Sequence, residues 1–127
     1  MKKVLIVEDD QELSRMYERV FRLHGYSVEV IADGKEALER MQKAPDMPNA
    51  VILDVMIPSM SGIDVLRAVK QDERIKNVPV IILTNSFNKE SEGLFLSLGA
   101  NAYLVKLDTK AQDVVRKVEQ LLSPNPP

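Results

Sequence analysis

The amino-acid sequence predicts an α/β protein: a doubly wound parallel sheet of five strands with helices on both faces. Three observations carry that expectation. Unbroken apolar runs rich in Val and Ile occur at residues 4–7, 51–53 and 80–83, with weaker runs at 28–31 and 102–105. Runs without polar alternation fit strands covered on both faces. Segments of helical period lie between them, and parallel neighbours need such crossover connections.

Taken in order, the run 4–7 is stopped by Glu8, Asp9 and Asp10, and Asp10 suits the N-cap of the first helix. Leu13, Met16, Tyr17, Val20, Phe21 and His24 then repeat at the spacing of one helix face, and Gly25 stands where that helix would stop. The second strand is 28–31. The third, 51–53, ends in Asp54, and the fourth, 80–83, ends in Thr84. The fourth helix carries Leu94, Phe95, Leu96 and Leu98, more apolar positions than one buried stripe requires, and Gly99 marks its end. The fifth strand leads to Lys106. Ala111, Val114, Val115, Val118, Leu121 and Leu122 form the face of the last helix.

Composition narrows the functional classes. A chain of 127 residues with 45% hydrophobic and 28% charged residues makes one ordinary domain, expected over residues 1–122, and residues 123–127 read as a Pro-rich tail or linker. No cysteine means no thiol chemistry and no Cys-based metal site. With His24 the only histidine, a bound metal needs oxygen ligands and is therefore a hard cation. A net charge of −2 gives no basic footprint for nucleic acid. No apolar run approaches a signal-peptide core or a membrane span, so a cytoplasmic protein without membrane contact is the expectation.

In parallel sheets, ligands sit beyond the carboxyl ends of the strands. Glu8, Asp9, Asp54, Thr84 and Lys106 all fall at such ends. Singly each has a plainer reading: Asp54 as a turn or capping residue, Thr84 as a strand-end hydroxyl, Lys106 as a solvated charge. Together they are chemically complementary. Converging carboxylates need a counter-charge, which Mg2+ supplies, and a hydroxyl and an ammonium opposite them suit a phosphoryl group. A carboxylate can itself be the nucleophile, giving an acyl phosphate.

Those residues lie in segments that resemble the receiver domain of two-component response regulators over nearly the whole chain. The matching stretches are VLIVEDD at 4–10, LDVMIPSMSG at 53–62, PVIILT at 79–84 and GANAYLVK at 99–106. The resemblance implies a flavodoxin-like receiver fold with strand order 2-1-3-4-5. It also implies that Asp54 accepts a phosphoryl group from a phosphohistidine on a sensor histidine kinase or histidine phosphotransfer protein. Mg2+ would be bound by Asp9, Asp54 and the Met56 carbonyl, with Glu8 acting mainly through metal-bound water. Lys106 and Thr84 would contact phosphoryl oxygens, and Tyr103 would follow Thr84 inward and reshape the α4-β5-α5 surface for a downstream effector or an output domain not in this chain. Such a domain is a switch rather than an enzyme, a monomer or weak dimer.

Three departures from the family pattern stand out. Asn85 replaces a small residue and is expected to crowd entry to the site. Leu107 replaces the usual proline after the lysine, which favours a trans bond there and predicts a differently aimed Lys106. Met56 and Ser86 occupy positions that tune phosphate lifetime, and a thioether cannot orient water, so slow self-dephosphorylation is expected. Other readings fare worse. A flavodoxin-type binder would not place acids after its first strand, and no P-loop or dinucleotide motif is present. A phosphatase would want a second carboxylate at position 56. The serious alternative is a pseudo-receiver that docks without being phosphorylated.

Overall fold

A computed structural model describes residues 2–43, 47–85 and 87–123. Five strands, β1 (Lys3–Val7), β2 (Ser27–Ile31), β3 (Ala50–Asp54), β4 (Val80–Thr84) and β5 (Ala102–Val105), form one parallel sheet in the order β2-β1-β3-β4-β5. Between and after them run α1 (Gln11–Leu23), α2 (Gly34–Gln42), α3 (Gly62–Gln71), α4 (Lys89–Ser97) and α5 (Ala111–Leu122). The expected doubly wound architecture and its strand order are both present. Ser86 and the tail at 124–127 lie outside the described residues.

The strength of each apolar run follows its place in the sheet. β3 and β4 are central and every residue in them is buried. β2 and β5 are edges and only half-buried, which explains their weaker runs. Alternate side chains of each strand face opposite layers. Val4, Ile6, Ala50, Ile52, Ile81 and Leu83 pack against α1 and α5, while Leu5, Val7, Val51, Leu53, Val80 and Ile82 pack toward α2, α3 and α4.

Local chemistry fixes the helix ends. The side chains of Asp10, Asp33, Ser61 and Asn88 accept hydrogen bonds from amides in the first turns of α1, α2, α3 and α4. α1 closes with a Schellman motif: Gly25 (φ 88°) donates to Arg22 O, and Tyr26 donates to Phe21 O. The Phe21 and Tyr26 rings meet edge-to-face at 5.4 Å, the apolar contact that accompanies this cap. Gly99 (φ 110°) ends α4 in the same way. The expected α1 stripe needs correction at one end. Met16 is 44% exposed and His24 is the C-cap rather than a helical residue, while Ser14 is buried instead. The inward arc centres on Ser14, Tyr17 and Phe21, one narrow face against the sheet. Among the described residues no helix is long and apolar enough to cross a membrane.

Candidate functional site

The carboxyl edge of the sheet collects the residues that the sequence singled out. Register sets neighbours side by side: Val7 opposes Leu53, Asp54 opposes Leu83, and Thr84 opposes Val105. Glu8 continues the ladder beyond β1, its amide donating to Ile31 O at 3.1 Å. Lys106 opens a short 3-10 turn directly after β5. By two-residue alternation Glu8 follows Ile6, Asp54 follows Ile52 and Lys106 follows Leu104, so all three project on the α1/α5 side.

There they form a buried ion cluster. Lys106 Nζ lies 2.7 Å from Glu8 Oε1 and 3.2 Å from Asp54 Oδ2. The Asp10 amide donates to Glu8 Oε2 at 3.2 Å, and the Met56 amide donates to Asp54 Oδ1 at 3.4 Å. Burial pushes the Glu8 carboxyl up to about 7; Asp54 adds to the rise, against the opposing pull of Lys106 and the Asp10 amide. Burial also pulls on the Lys106 ammonium, but Glu8 and Asp54 more than offset it and its pKa ends above the ordinary value.

Asp9 completes the acidic group from the exposed side. One carboxylate oxygen each from Glu8, Asp9 and Asp54 lies within 4.8 Å of the others. An all-oxygen donor set carrying more negative charge than one ammonium can balance fits a hard divalent cation. Such an ion would stabilise the Glu8 carboxylate that burial disfavours.

Thr84 takes the opposite face. It follows Val80 and Ile82, and it lines a cavity of about 480 Å3 together with Val55, Asn88, Leu94, Phe95 and Tyr103. Tyr103 packs on Phe95 with centroids 5.8 Å apart, and its hydroxyl donates to Ser91 Oγ at 3.2 Å. The structure thus gathers Glu8, Asp9, Asp54 and Lys106 into one cluster and sets Thr84 and Tyr103 beside it, around a cavity on the other side of the sheet. Asn85 is exposed, and so is Leu107, at 90%. No described peptide bond is cis, as expected before Leu107, and Lys106 reaches both carboxylates. The expectation of a differently aimed Lys106 gives way to a short turn that keeps the amine on target.

One neighbour was legible only as a core residue. Tyr17 is 1% exposed, and its hydroxyl has no hydrogen-bond partner among the described residues. Burial raises its pKa, and the charges of Lys106, Glu8 and Asp54 act on it as well. An unpaired buried hydroxyl costs stability. Tyr17→Phe is therefore expected to raise the unfolding free energy by about 1 kcal/mol in urea titration; a loss of stability would mean that the hydroxyl has a partner.

A parallel five-stranded sheet of this order, with acids at the tips of β1 and β3 and a lysine after β5, defines a class of signalling domain. Residues 4–119 match the response regulator receiver domain family, and the chain belongs to it. It is 38% identical over 106 residues to the transcriptional regulatory protein CpxR of Escherichia coli, a match covering 84% of this chain and 43% of that protein. The chain thus spans about half the length of the curated relatives it matches. A putative response regulator from Chloroflexus aurantiacus superposes with a TM-score of 0.87 at 34% identity, covering 95% of this chain and 97% of the other. The Mn2+-bound form of response regulator Rcp1 superposes with a TM-score of 0.83 at 26% identity, covering 100% and 99%.

Proposed function

We propose that this chain is a Mg2+-dependent phosphoryl-accepting switch. The observation that carries the reading is the buried cluster in which Lys106 Nζ sits 3.2 Å from Asp54 Oδ2 and 2.7 Å from Glu8 Oε1. An Asp54 carboxylate oxygen attacks the phosphorus of a phosphohistidine on a sensor histidine kinase or histidine phosphotransfer protein. The O–P bond forms as the P–N bond breaks in line; the departing imidazole keeps the electron pair and takes a proton from solvent. Lys106 holds a phosphoryl oxygen and offsets the charge that arrives with it.

Asp9, Asp54 and the Met56 carbonyl would hold the metal, and Glu8 would act mainly through metal-bound water. The Glu8 oxygens are engaged by Lys106 and the Asp10 amide, whereas Asp9 is exposed and brings an oxygen into the cluster, which favours Asp9 as the direct ligand. Mg2+, when bound, neutralises charge between nucleophile and phosphoryl group. The Mn2+ carried by Rcp1 supports a divalent ion here.

Thr84 reaches the phosphoryl group by turning from the opposite face, and Tyr103 then moves into the cavity it shares with Thr84. Phosphoryl contacts made only in that arrangement supply the differential affinity that a switch requires. The α4-β5-α5 surface, where Leu94 and Leu96 are each 43% exposed, delivers the signal to an effector or output domain outside residues 1–122. The domain works in the cytoplasm as a monomer or weak dimer, binds neither nucleic acid nor membrane itself, and turns over no separate substrate. Met56, with an exposed thioether, leaves attacking water unoriented, so the phosphate is lost slowly.

Intact-mass measurement after incubation with Mg2+ and acetyl phosphate tests this reading. One labile phosphoryl group is expected, absent in Asp54→Asn and absent without Mg2+. No mass gain overturns the reading in favour of a docking module. Continuous turnover of phosphate monoesters overturns it in favour of a phosphatase.

A further inference from the structure

The loop 55–61, which follows Asp54 and carries Met56, is cinched twice. At its base, the Gly62 amide donates to Val55 O at 2.9 Å. At its tip, the chain leans on the N-terminus of α2. The Gly34 amide donates to Pro58 O at 3.1 Å, and the Ser59 hydroxyl donates to Asp33 Oδ2. The other Asp33 oxygen, Oδ1, accepts the Glu36 amide at 3.0 Å, so one carboxylate caps the helix and holds the loop together. The fit is close. A Cβ at Gly34 would collide with Met60 O and Ile57 Cδ1, so the loop backbone sits where any other residue would place a side chain.

Ser59 has a backbone φ of 71°, the only positive value at a non-glycine position among the described residues. Serine adopts that conformation at a penalty, and glycine, which has no Cβ, would relieve it. A strained residue persists where the surroundings over-determine it. Here the surroundings act through two bonds: the Met60 amide donates to Pro58 O at 2.8 Å, closing a γ-turn centred on Ser59, and the Ser59 hydroxyl donates to Asp33; glycine can keep only the first. The Ser59 hydroxyl first, and the Glu36 amide next, hold the Asp33 carboxyl below its usual range, so the bond is made to the ionised form.

We infer that Asp33 and Ser59 are positioning residues for the metal and phosphoryl site: their bond pins the tip of the loop 55–61 to α2 and so fixes the Met56 carbonyl and the Met56 amide against Asp54. Neither side chain touches the reacting atoms. Both act through the loop, and the inference rests on the proposed phosphoryl-acceptor reading.

Three variants at one position separate positioning from stability. Ser59→Gly removes the strain and the donor together. Ser59→Asn leaves the strain in place but keeps a donor in the amide group. Ser59→Ala loses the donor and keeps the strain. Full-length proteins are titrated with Mg2+ alone, followed by the amide signals of Asp54 and Met56, and the rate of phosphorylation by acetyl phosphate is then measured against Mg2+ concentration. Ser59→Gly should match or exceed the parent in thermal stability and yet bind Mg2+ roughly tenfold more weakly, as loss of an outer support typically does. Ser59→Asn should restore parental affinity, and Ser59→Ala should share the defect of Ser59→Gly. A Ser59→Gly protein with parental Mg2+ affinity and parental amide positions overturns the inference while leaving the phosphoryl-acceptor reading intact. A parent protein that binds no Mg2+ and takes no phosphoryl group overturns that reading itself, and with it the inference.

Discussion

Lys106→Met should destabilise the protein at pH 8 by about 3 kcal/mol, and the deficit should shrink on acidification to pH 5. Removing one partner of a buried ion cluster leaves the others uncompensated, at a cost of about 3–5 kcal/mol. Here the abandoned partners are two carboxylates, Glu8 at 3% exposure and Asp54 at 5%. Without the ammonium they repel each other, and the Glu8 carboxyl, which burial already pushes up to about 7, is driven higher and holds its proton across neutral pH. Acid supplies that proton and so replaces the missing cation, which is why the loss depends on pH. Methionine keeps most of the apolar stem, so packing changes little. Urea titrations at both pH values give the answer: an equal deficit at each would assign the effect to packing, and no deficit would deny the ion cluster.

Glu8→Gln should act in the opposite direction. The Glu8 carboxyl titrates at about 7 in the folded protein against an ordinary value of 4.5. Between those values the native state binds a proton that the unfolded chain has released, so this residue makes stability fall as pH rises from 4.5 to 7 and adds nothing further above. Each unit corresponds to about 1.4 kcal/mol, so the advantage of Glu8→Gln over the parent should grow from near zero below pH 4.5 to about 3 kcal/mol above pH 7. The amide still offers an oxygen to Lys106 and to the Asp10 amide. A parent that gains on the variant with rising pH would reverse the sign and refute the account of Glu8. The stability gained should coincide with weaker Mg2+ binding, because the displaced charge belongs to the proposed metal site.

The two predictions place the site's chemistry in a cluster that the sequence largely announced. Central strands with no polar alternation, acids after the first and third, and a lysine after the fifth were all readable from residue type and spacing. Which face each residue takes was not. A strand buried on both sides carries no alternation from which to read direction, and register decides the matter: Asp54 pairs with Leu83 rather than with Thr84. Thr84 therefore lies on the cavity side of the sheet, beside the cluster. Tyr17 was hidden for a related reason, since periodicity registers an aromatic ring and is silent about its hydroxyl. The tie between Asp33 and Ser59 was hidden further still. A glycine or asparagine at 59 would have signalled a left-handed turn, but serine gives no such signal, and Asp33 reads only as a helix cap. At α1 the 3-and-4 spacing fits a broader arc than the sheet covers, which is how Met16 came to look buried.

Borohydride reduction of the phosphorylated full-length chain, followed by peptide mass mapping, identifies the carboxylate that carries the phosphoryl group. Acyl phosphates are reduced to alcohols under these conditions while free carboxylates are untouched. The expected result is conversion at position 54 alone, dependent on Mg2+ and lost in Lys106→Met. Conversion at Glu8, Asp9 or any other acid, or no conversion in a protein whose buried Lys106–Asp54 contact is intact, would contradict the assignment of Asp54 as the phosphoryl acceptor.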